Sequence, residues 1–157
     1  MVLALSTGAR RGELLGLQWS DIDLKRGALI FRETKNGQVR TVPLTGKALE
    51  LLSQSRGTGL VFPTGIREAF ESALRRAGIG NFRFHDLRHT FASYLAMSGA
   101  SLSELAEALG HKTLSMVKRY THLTEGHTRQ VVARMNTAIF KDLTVTHNYS
   151  LMGDQGA

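Results

Sequence analysis

The second half of the sequence collects residue types that together can break a phosphodiester. His85 and Arg88 are three residues apart, His111 comes directly after a glycine, and Tyr120 follows nine residues later. Arginine neutralises phosphate oxygens, imidazole moves protons, and a phenol can act as a nucleophile. If Arg10 lies beside these residues, the set contains every residue type that the reaction needs.

Arg10 needs support to reach such a site, and the sequence places a carboxylate close to it. We predict a helix over residues 10–17, on which Glu13 lies one turn beyond Arg10. Residues three apart on a helix are neighbours, so the two side chains can touch. The alternative is an ordinary surface ion pair, which contributes less than about 1 kcal/mol.

A lysine occupies the tip of a predicted β-hairpin, where a long side chain can reach outward. Residues 28–34 and 39–42 are β-prone, and Lys35 precedes the pair Asn36-Gly37 between them. Asn-Gly favours a two-residue turn because both central positions need a positive φ. Lys35 is a candidate catalytic cation, and a lysine that only solvates the turn fits the same pattern.

The helix that carries His85 and Arg88 is predicted over residues 85–98. Apolar residues recur at helical spacing and mark its buried face, namely Leu87, Phe91, Tyr94 and Leu95. His85 and Arg88 lie one turn apart on another face. The pattern makes Tyr94 a core residue rather than a nucleophile, and His89 is interpreted as structural.

Two further helices are predicted to place His111 and Tyr120. A capping-box pattern begins at Ser101, and the helix that follows it ends at Gly110. His111 therefore comes directly after a helix end, where its side chain can be held in a fixed direction. A helix over residues 113–123 would carry Tyr120.

The remaining pattern predicts an α+β fold that is mainly α-helical, with a small three-stranded antiparallel sheet. The third strand is predicted at the short apolar run of residues 60–62. Other helices are predicted over residues 1–6, 45–55, 66–77 and 125–140. Residues 143–157 lose periodicity and are expected to form a flexible tail, so the domain is predicted to span residues 1–142.

The composition is typical of a single globular domain with a polyanionic partner. The chain has 157 residues, 42% of them hydrophobic, and a formal net charge of +7. This charge favours nucleic acid as partner, ahead of an anionic membrane. The lack of cysteine excludes disulfides, thiolate metal ligands and a Cys nucleophile. We expect neither a membrane span nor a signal peptide.

Four segments of the chain resemble the tyrosine recombinase, or phage integrase, family. They are TGARRGELLGLQWSDID, TKNGQVRTVPL, FHDLRHTFASYLAMSG and ALGHKTLSMVKRYTHL. The segments occur in the family's order and at its spacings. The resemblance implies the DNA breaking-rejoining fold of a tyrosine recombinase catalytic domain. It also implies that the N-terminal core-binding domain of such proteins is absent.

The resemblance assigns catalytic positions to seven residues. They are Arg10, Glu13, Lys35, His85, Arg88, His111 and Tyr120. Tyr120 matches the nucleophile and Lys35 matches the hairpin lysine. Glu13 matches the acidic residue that supports Arg10. His111 stands where the family has His or Trp, and it is the candidate hydrogen-bond donor to the phosphate.

The residue types fit such a reaction on chemical grounds. A phosphodiester under attack gains charge on its non-bridging oxygens, which Arg10 and Arg88 can bind in bidentate fashion. A phenol is a poor nucleophile at neutral pH since its reference pKa is about 10, so Tyr120 needs a base. His85 is the candidate base, and Lys35 is the candidate acid for the leaving 5′ oxygen.

The family resemblance also implies the intermediate and the partners. Attack would give a 3′-phosphotyrosyl link that stores the bond energy, so neither ATP nor a metal or other cofactor is expected. Double-stranded DNA is the expected partner, with a homo-tetramer on paired sites when the protein is full length, and no membrane. The expected location is the cytoplasm of a bacterium, on the nucleoid.

Two other functions fit parts of the sequence. A catalytically inactive DNA-binding relative would keep the fold but should lack at least one catalytic side chain. His85 and His89 have the H-x-x-x-H spacing of a zinc pair, for which Glu107 is a distant third ligand. However, Asp86 stands where zincins have a glutamate. Covalent trapping on DNA tests the first alternative, and zinc analysis tests the second.

Overall fold

The structure, a computed structural model, describes residues 1–32, 39–123 and 125–141. Residues Met1–Glu125 form one compact unit, and a second unit begins at Gly126. The predicted hairpin tip with Lys35 lies outside the described residues. The predicted tail, 143–157, and the domain boundary at residue 142 lie outside them as well.

Helices make up most of the described chain. Helices α1 to α7 are Val2–Thr7, Arg11–Leu15, Gly46–Gln54, Arg67–Ala77, Phe84–Met97, Leu102–Leu109 and Glu125–Phe140. Short 3-10 helices lie at Trp19–Asp21, Leu114–Met116 and Lys118–Leu123. Within the described residues, no helix is both long enough and apolar enough to cross a lipid bilayer. The prediction of a mainly α-helical fold is confirmed.

The predicted small antiparallel sheet is also confirmed. Its three strands, in spatial order, are β1 (Ile22–Asp23), β2 (Ala28–Phe31) and β3 (Arg40–Pro43). Leu29 pairs with Val42, and both side chains are buried. Because side chains alternate along a strand, Arg40 points inward like Val42, while Thr41 between them is exposed.

The third strand is not where the sequence predicted it. Residues 60–62 form no strand, and Leu60 makes an isolated bridge with Gln18. The carboxylate of Asp23 accepts hydrogen bonds from the backbone amides two and three residues later, which closes a turn and folds β1 back on β2. A short apolar run does not by itself distinguish a sheet strand from a loop.

Helix α5 is anchored in two apolar clusters of the first unit. Leu87 belongs to the cluster around the sheet, whereas Ala92 and Ala96 belong to a cluster shared with α6. The prediction that Tyr94 is a core residue is wrong, since its side chain is 66% exposed. Alanines form the buried stripe because small side chains let neighbouring elements pack closely, and a count of large apolar residues overlooks them.

The segment that carries Tyr120 is not the single α-helix that the sequence predicted. It forms the two 3-10 helices at Leu114–Met116 and Lys118–Leu123. The Val117 and Tyr120 amides each donate to the carbonyl three residues earlier, which is the 3-10 pattern. Val117, between these two helices in the chain, is fully buried. Its packing fixes the point at which the helix that carries Tyr120 begins.

Candidate active site

An open cavity of about 380 Å³ in the first unit collects most of the predicted site residues. Five of them line it, namely Arg10, His85, Arg88, His111 and Tyr120. Glu13 is buried against Arg10, and Lys35 lies outside the described residues. The other lining residues are His89, Leu109, Met116 and Arg119.

Arg10 follows a helix end that requires glycine for two reasons. Helix α1 ends at Gly8, whose φ of 60° lies in the left-handed region. A Cβ on Gly8 would overlap the ring of Phe91 on α5, so the two helices meet here without a side chain. The Gly8 carbonyl accepts a hydrogen bond from Arg88 Nη1 at 2.6 Å. This turn therefore places Arg10 at the cavity and fixes Arg88.

Glu13 is the buried carboxylate that holds two arginines. Its side chain is only 2% exposed. Arg10 Nη1 donates to Glu13 Oε1 at 2.7 Å, and Arg40 Nη2 donates to Oε2 at 2.7 Å. The backbone amide of Arg10 also donates to Oε2, at 2.8 Å. The predicted contact between Arg10 and Glu13 is thus present, and a surface ion pair is excluded because the carboxylate is buried.

Arg40 is a buried site residue that the sequence reasoning missed. Its side chain is 5% exposed, it donates to the Ala108 carbonyl at the end of α6, and it lies 4.8 Å from the centre of the Phe31 ring. It therefore links α2, through Glu13, to the helix end that precedes His111. Its inward position in the alternation of β3 is the sequence signal that could have identified it.

We expect Arg40→Met to lower the free energy of unfolding by about 3 kcal/mol, because it removes one partner of a buried ion pair. The measurement is urea unfolding followed by circular dichroism. The matched control is Arg32→Met, since Arg32 is 62% exposed and forms a more superficial pair with Asp21. That control should lose less than about 1 kcal/mol. Equal losses in the two variants would contradict the structural role of Arg40.

The end of α6 fixes the position of His111. The helix begins with the predicted capping box, in which Ser101 Oγ accepts from the Glu104 amide at 3.2 Å. It ends at Gly110, whose φ is 61°, and the His111 amide donates back to the Ala106 carbonyl at 2.8 Å. The Leu109 carbonyl accepts from Arg88 Nη2. The guanidinium thereby satisfies a helix-end carbonyl that has no partner within the helix.

Positive charge is in excess around the cavity. Among the described residues, Arg10 and Arg40 pair with the buried carboxylate of Glu13, whereas Arg88 is influenced by its charge without a direct ion pair. Burial, followed by the repulsion of Arg10 and Arg40, lowers the pKa of Arg88 to about 10. Arg88 remains charged at neutral pH despite this cost. The arrangement is suited to binding an anion.

His111 is a neutral imidazole with a defined tautomer. Burial, followed by the nearby cations Arg88 and Arg10, lowers its pKa to about 4. Its Nε2 lies 3.1 Å from Arg88 Nη2. A guanidinium only donates, so Nε2 accepts and the proton is on Nδ1. Nδ1 is buried and has no hydrogen-bond partner among the described residues. It is an unpaired buried donor within the site.

The depressed pKa of His111 predicts a stability loss in acid. As pH falls below about 6.5 the unfolded chain binds this proton first, so the free energy of unfolding falls until the pH reaches about 4. We expect His111→Gln to remove roughly 1 kcal/mol of this loss, after allowance for solvent screening. Urea unfolding at pH 7 and pH 4.5 measures it. His122→Gln, at an exposed position, should keep the wild-type difference. If His111→Gln lost as much free energy of unfolding between pH 7 and pH 4.5 as wild type, the lowered pKa of His111 would be contradicted.

The Tyr120 hydroxyl is hydrogen-bonded to the imidazole of His89, which the sequence analysis interpreted as structural. Its oxygen lies 2.7 Å from His89 Nδ1. Burial raises the pKa of Tyr120, and the nearby Arg119 and Arg88 only partly oppose this shift. His85 instead packs edge to face on His89, with 4.9 Å between ring centres. The sequence feature that could have identified His89 as a site residue is its place on α5, one turn after His85.

The zinc alternative has no support in the part of the chain that the structure describes. No group of three His, Asp or Glu side chains there is arranged to hold a metal ion. The predicted pair, His85 and His89, presents two rings in edge-to-face contact, and His89 Nδ1 is occupied by Tyr120.

Comparisons with known proteins agree on one family. The profile described as the phage integrase family matches residues 1–127. The shufflon-specific DNA recombinase of Escherichia coli is 40% identical over 127 residues, which cover 77% of this chain and 33% of that protein. The chain therefore spans about a third of that relative's length.

Solved structures give the same result. The catalytic domain of bacteriophage HP1 integrase has a TM-score of 0.72 and 34% identity, covering 87% of this chain and 80% of that chain. The XerH site-specific recombinase, in a pre-cleavage complex with its difH substrate, has a TM-score of 0.61 and 25% identity. That match covers 76% of this chain and 40% of XerH.

Proposed function

The chain belongs to the phage integrase family, and from this premise we propose that it breaks and rejoins DNA by transesterification through a 3′-phosphotyrosyl intermediate. The observation that carries the proposal is the convergence of Arg10, Arg88 and Tyr120 on one positively charged cavity. Two guanidiniums for the phosphate and a phenol for attack are the minimum that this reaction needs.

Several of the candidate site residues have a role in the proposed reaction. Arg10 and Arg88 bind the non-bridging oxygens, and His111, which lines the same cavity, is proposed to donate a further hydrogen bond to one of them. These groups are fixed before the substrate arrives, so they stabilise the developing charge without reorganising. Glu13 positions Arg10. Lys35 is proposed as the acid that protonates the leaving 5′ oxygen.

The buried phenol requires a base within the site. Because the pKa of Tyr120 is raised by burial, its hydroxyl is protonated at neutral pH and its proton must leave as the oxygen attacks phosphorus. The product is a covalent link to the 3′ phosphate and a free 5′ hydroxyl. Attack by another 5′ hydroxyl reverses the step without ATP, since the link preserves the bond energy.

Double-stranded DNA is the proposed partner. The net charge of +7 and the excess of arginine at the cavity support this choice, as does the substrate complex of the related XerH. We further propose that a full-length protein acts as a homo-tetramer on two paired sites, in the bacterial cytoplasm on the nucleoid. No cofactor is assigned a role.

Covalent trapping tests this proposal directly. The chain is incubated with a randomised pool of nicked duplexes, from which a short cleaved strand diffuses away and leaves the protein attached. A denaturing gel should then show a DNA adduct, and mass spectrometry should locate it on the peptide that contains Tyr120. The unnicked pool is the control, because rejoining there prevents accumulation.

The outcomes separate the recombinase from its inactive alternative. Adduct on Tyr120 supports the proposal, and adduct on Tyr94 or Tyr149 would reassign the nucleophile. DNA binding in a gel-shift assay without any adduct would favour the catalytically inactive relative. Sequencing the trapped strands would reveal the target site.

A further inference from the structure

The hydroxyl of Tyr120 and the ring of His89 form a defined pair inside the cavity. The two residues come from different elements, His89 from α5 and Tyr120 from the 3-10 helix Lys118–Leu123. Their atoms Nδ1 and Oη are 2.7 Å apart, and the ring centres are 6.5 Å apart. Among the described residues, His89 is the group within hydrogen-bond reach of this hydroxyl.

We propose that His89 is the catalytic base that accepts the proton of Tyr120, a role that the residue pattern alone assigned to His85. This inference rests on the proposed function. As Tyr120 Oη bonds to phosphorus, its proton moves to His89 Nδ1 and the bond from phosphorus to the 5′ oxygen breaks. The 5′ oxygen receives a proton from the acid, proposed as Lys35. In rejoining, His89 returns its proton to Oη.

The proposed role of His89 requires a particular ring nitrogen to carry the proton before the reaction. The phenol is protonated at neutral pH, because burial raises the pKa of Tyr120. The proposal assigns the donor role to the phenol and the acceptor role to Nδ1, which leaves the imidazole proton on Nε2. A lone pair on Nδ1 that already points at the hydroxyl needs no rearrangement to take the proton.

His85 is placed to support this base rather than to replace it. Its ring meets His89 edge to face, with 4.9 Å between ring centres. Burial, followed by the proximity of His89 and Arg88, lowers the pKa of His85 and keeps it neutral. A neutral ring in this position limits the rotation of His89 and adds no competing charge.

Charged and titratable groups surround His89 on both elements. On α5 these are His85, Asp86 and Arg88, and on the 3-10 helix they are Arg119 and Tyr120. An entering phosphate would bring negative charge among the arginines of this set.

The first test reads the tautomer without DNA. Nitrogen-15 NMR of the imidazole rings distinguishes a protonated nitrogen from a free one, and the signal of His89 is identified by its absence in His89→Asn. In the wild-type chain we expect His89 Nδ1 to carry no proton. We expect its nitrogen-15 resonance to shift in Tyr120→Phe, where the hydroxyl is missing. A proton on Nδ1 at neutral pH would overturn the proposal, because that nitrogen could not then accept one.

The second test separates proton transfer from positioning. In asparagine, Oδ1 occupies roughly the place of Nδ1, so His89→Asn keeps an acceptor for the hydroxyl but cannot take its proton. We expect His89→Asn and His89→Ala to slow adduct formation on the trapped duplex equally, by about 10²–10⁴-fold. The wild-type rate should rise with pH, and both variants should lose that rise. If His89→Asn formed the adduct at a higher rate than His89→Ala, His89 would be a positioning residue and not the base.

Controls distinguish the base from the acid and from the proposed function itself. A duplex with sulfur in place of the 5′ oxygen has a good leaving group, so it should rescue a variant that lacks the acid but not His89→Asn. His122→Asn, at an exposed position, should react like wild type. Wild-type rates in His89→Asn would overturn only the inference, whereas a wild-type chain without adduct would overturn the proposed function as well.

Discussion

Tyr120→Phe is expected to form no covalent DNA adduct, a loss on the order of 10⁴-fold or more, because the nucleophilic oxygen is gone and no neighbouring group replaces it. The ring is only 7% exposed, and phenylalanine can fill the same space. The lost hydrogen bond to His89 should change the free energy of unfolding by about 1 kcal/mol. The measurement is the denaturing gel, together with urea unfolding to show that the fold persists.

Tyr94→Phe is the matched control for this result. Tyr94 lies on α5, in the same unit, but its side chain is 66% exposed and it does not line the cavity. Its adduct should match that of wild type in amount and in DNA sequence. An adduct that persists in Tyr120→Phe, on any residue, would refute the assignment of the nucleophile.

Arg88→Lys is expected to slow cleavage by about 10²–10³-fold, the usual effect of removing one preorganised donor from a developing oxyanion. The guanidinium donates at once to the carbonyls of Gly8 and Leu109 and to His111. A lysine carries the same charge but cannot span these acceptors. Buried carbonyls then lose their partner, and we expect the free energy of unfolding to fall by about 2 kcal/mol as well.

Measuring both cleavage and unfolding separates the loss of catalytic rate in Arg88→Lys from its loss of stability. Single-turnover adduct formation on the trapped duplex is measured at a temperature where circular dichroism shows the variant to be folded. Arg83→Lys is the matched control, since Arg83 precedes α5 and its side chain is 80% exposed. It should change neither assay appreciably. Cleavage by Arg88→Lys within about threefold of wild type would show that bidentate geometry is not required.

The site was predictable from sequence where residue type and local geometry coincide. His85 and Arg88 lie one turn apart on a helix, and His111 follows a glycine that ends one, so periodicity and capping determine their placement. The contact of Arg10 with Glu13 follows from spacing alone. The burial of Glu13 could not be predicted from spacing, because its second partner is Arg40, 27 residues along the chain.

What could not be predicted depends on side-chain directions and on packing between distant elements. The hydrogen bond of His89 to Tyr120 spans 31 residues and depends on Val117, whose burial fixes the start of the 3-10 helix. Tyr94 has the apolar spacing of a core residue, yet the small side chain of Ala92 defines the buried face instead. Local propensity carries no information about which of two faces finds a neighbour.

The three guanidiniums around the carboxylate of Glu13 impose a trade-off on the evolution of this domain. An additional acidic side chain in the cavity would relieve the repulsion among Arg10, Arg40 and Arg88, and it would stabilise the empty protein. The same carboxylate would occupy the place of the phosphate and repel DNA. Under the proposed function, selection would therefore preserve a local instability, and the phosphate of the DNA would supply the missing counter-charge.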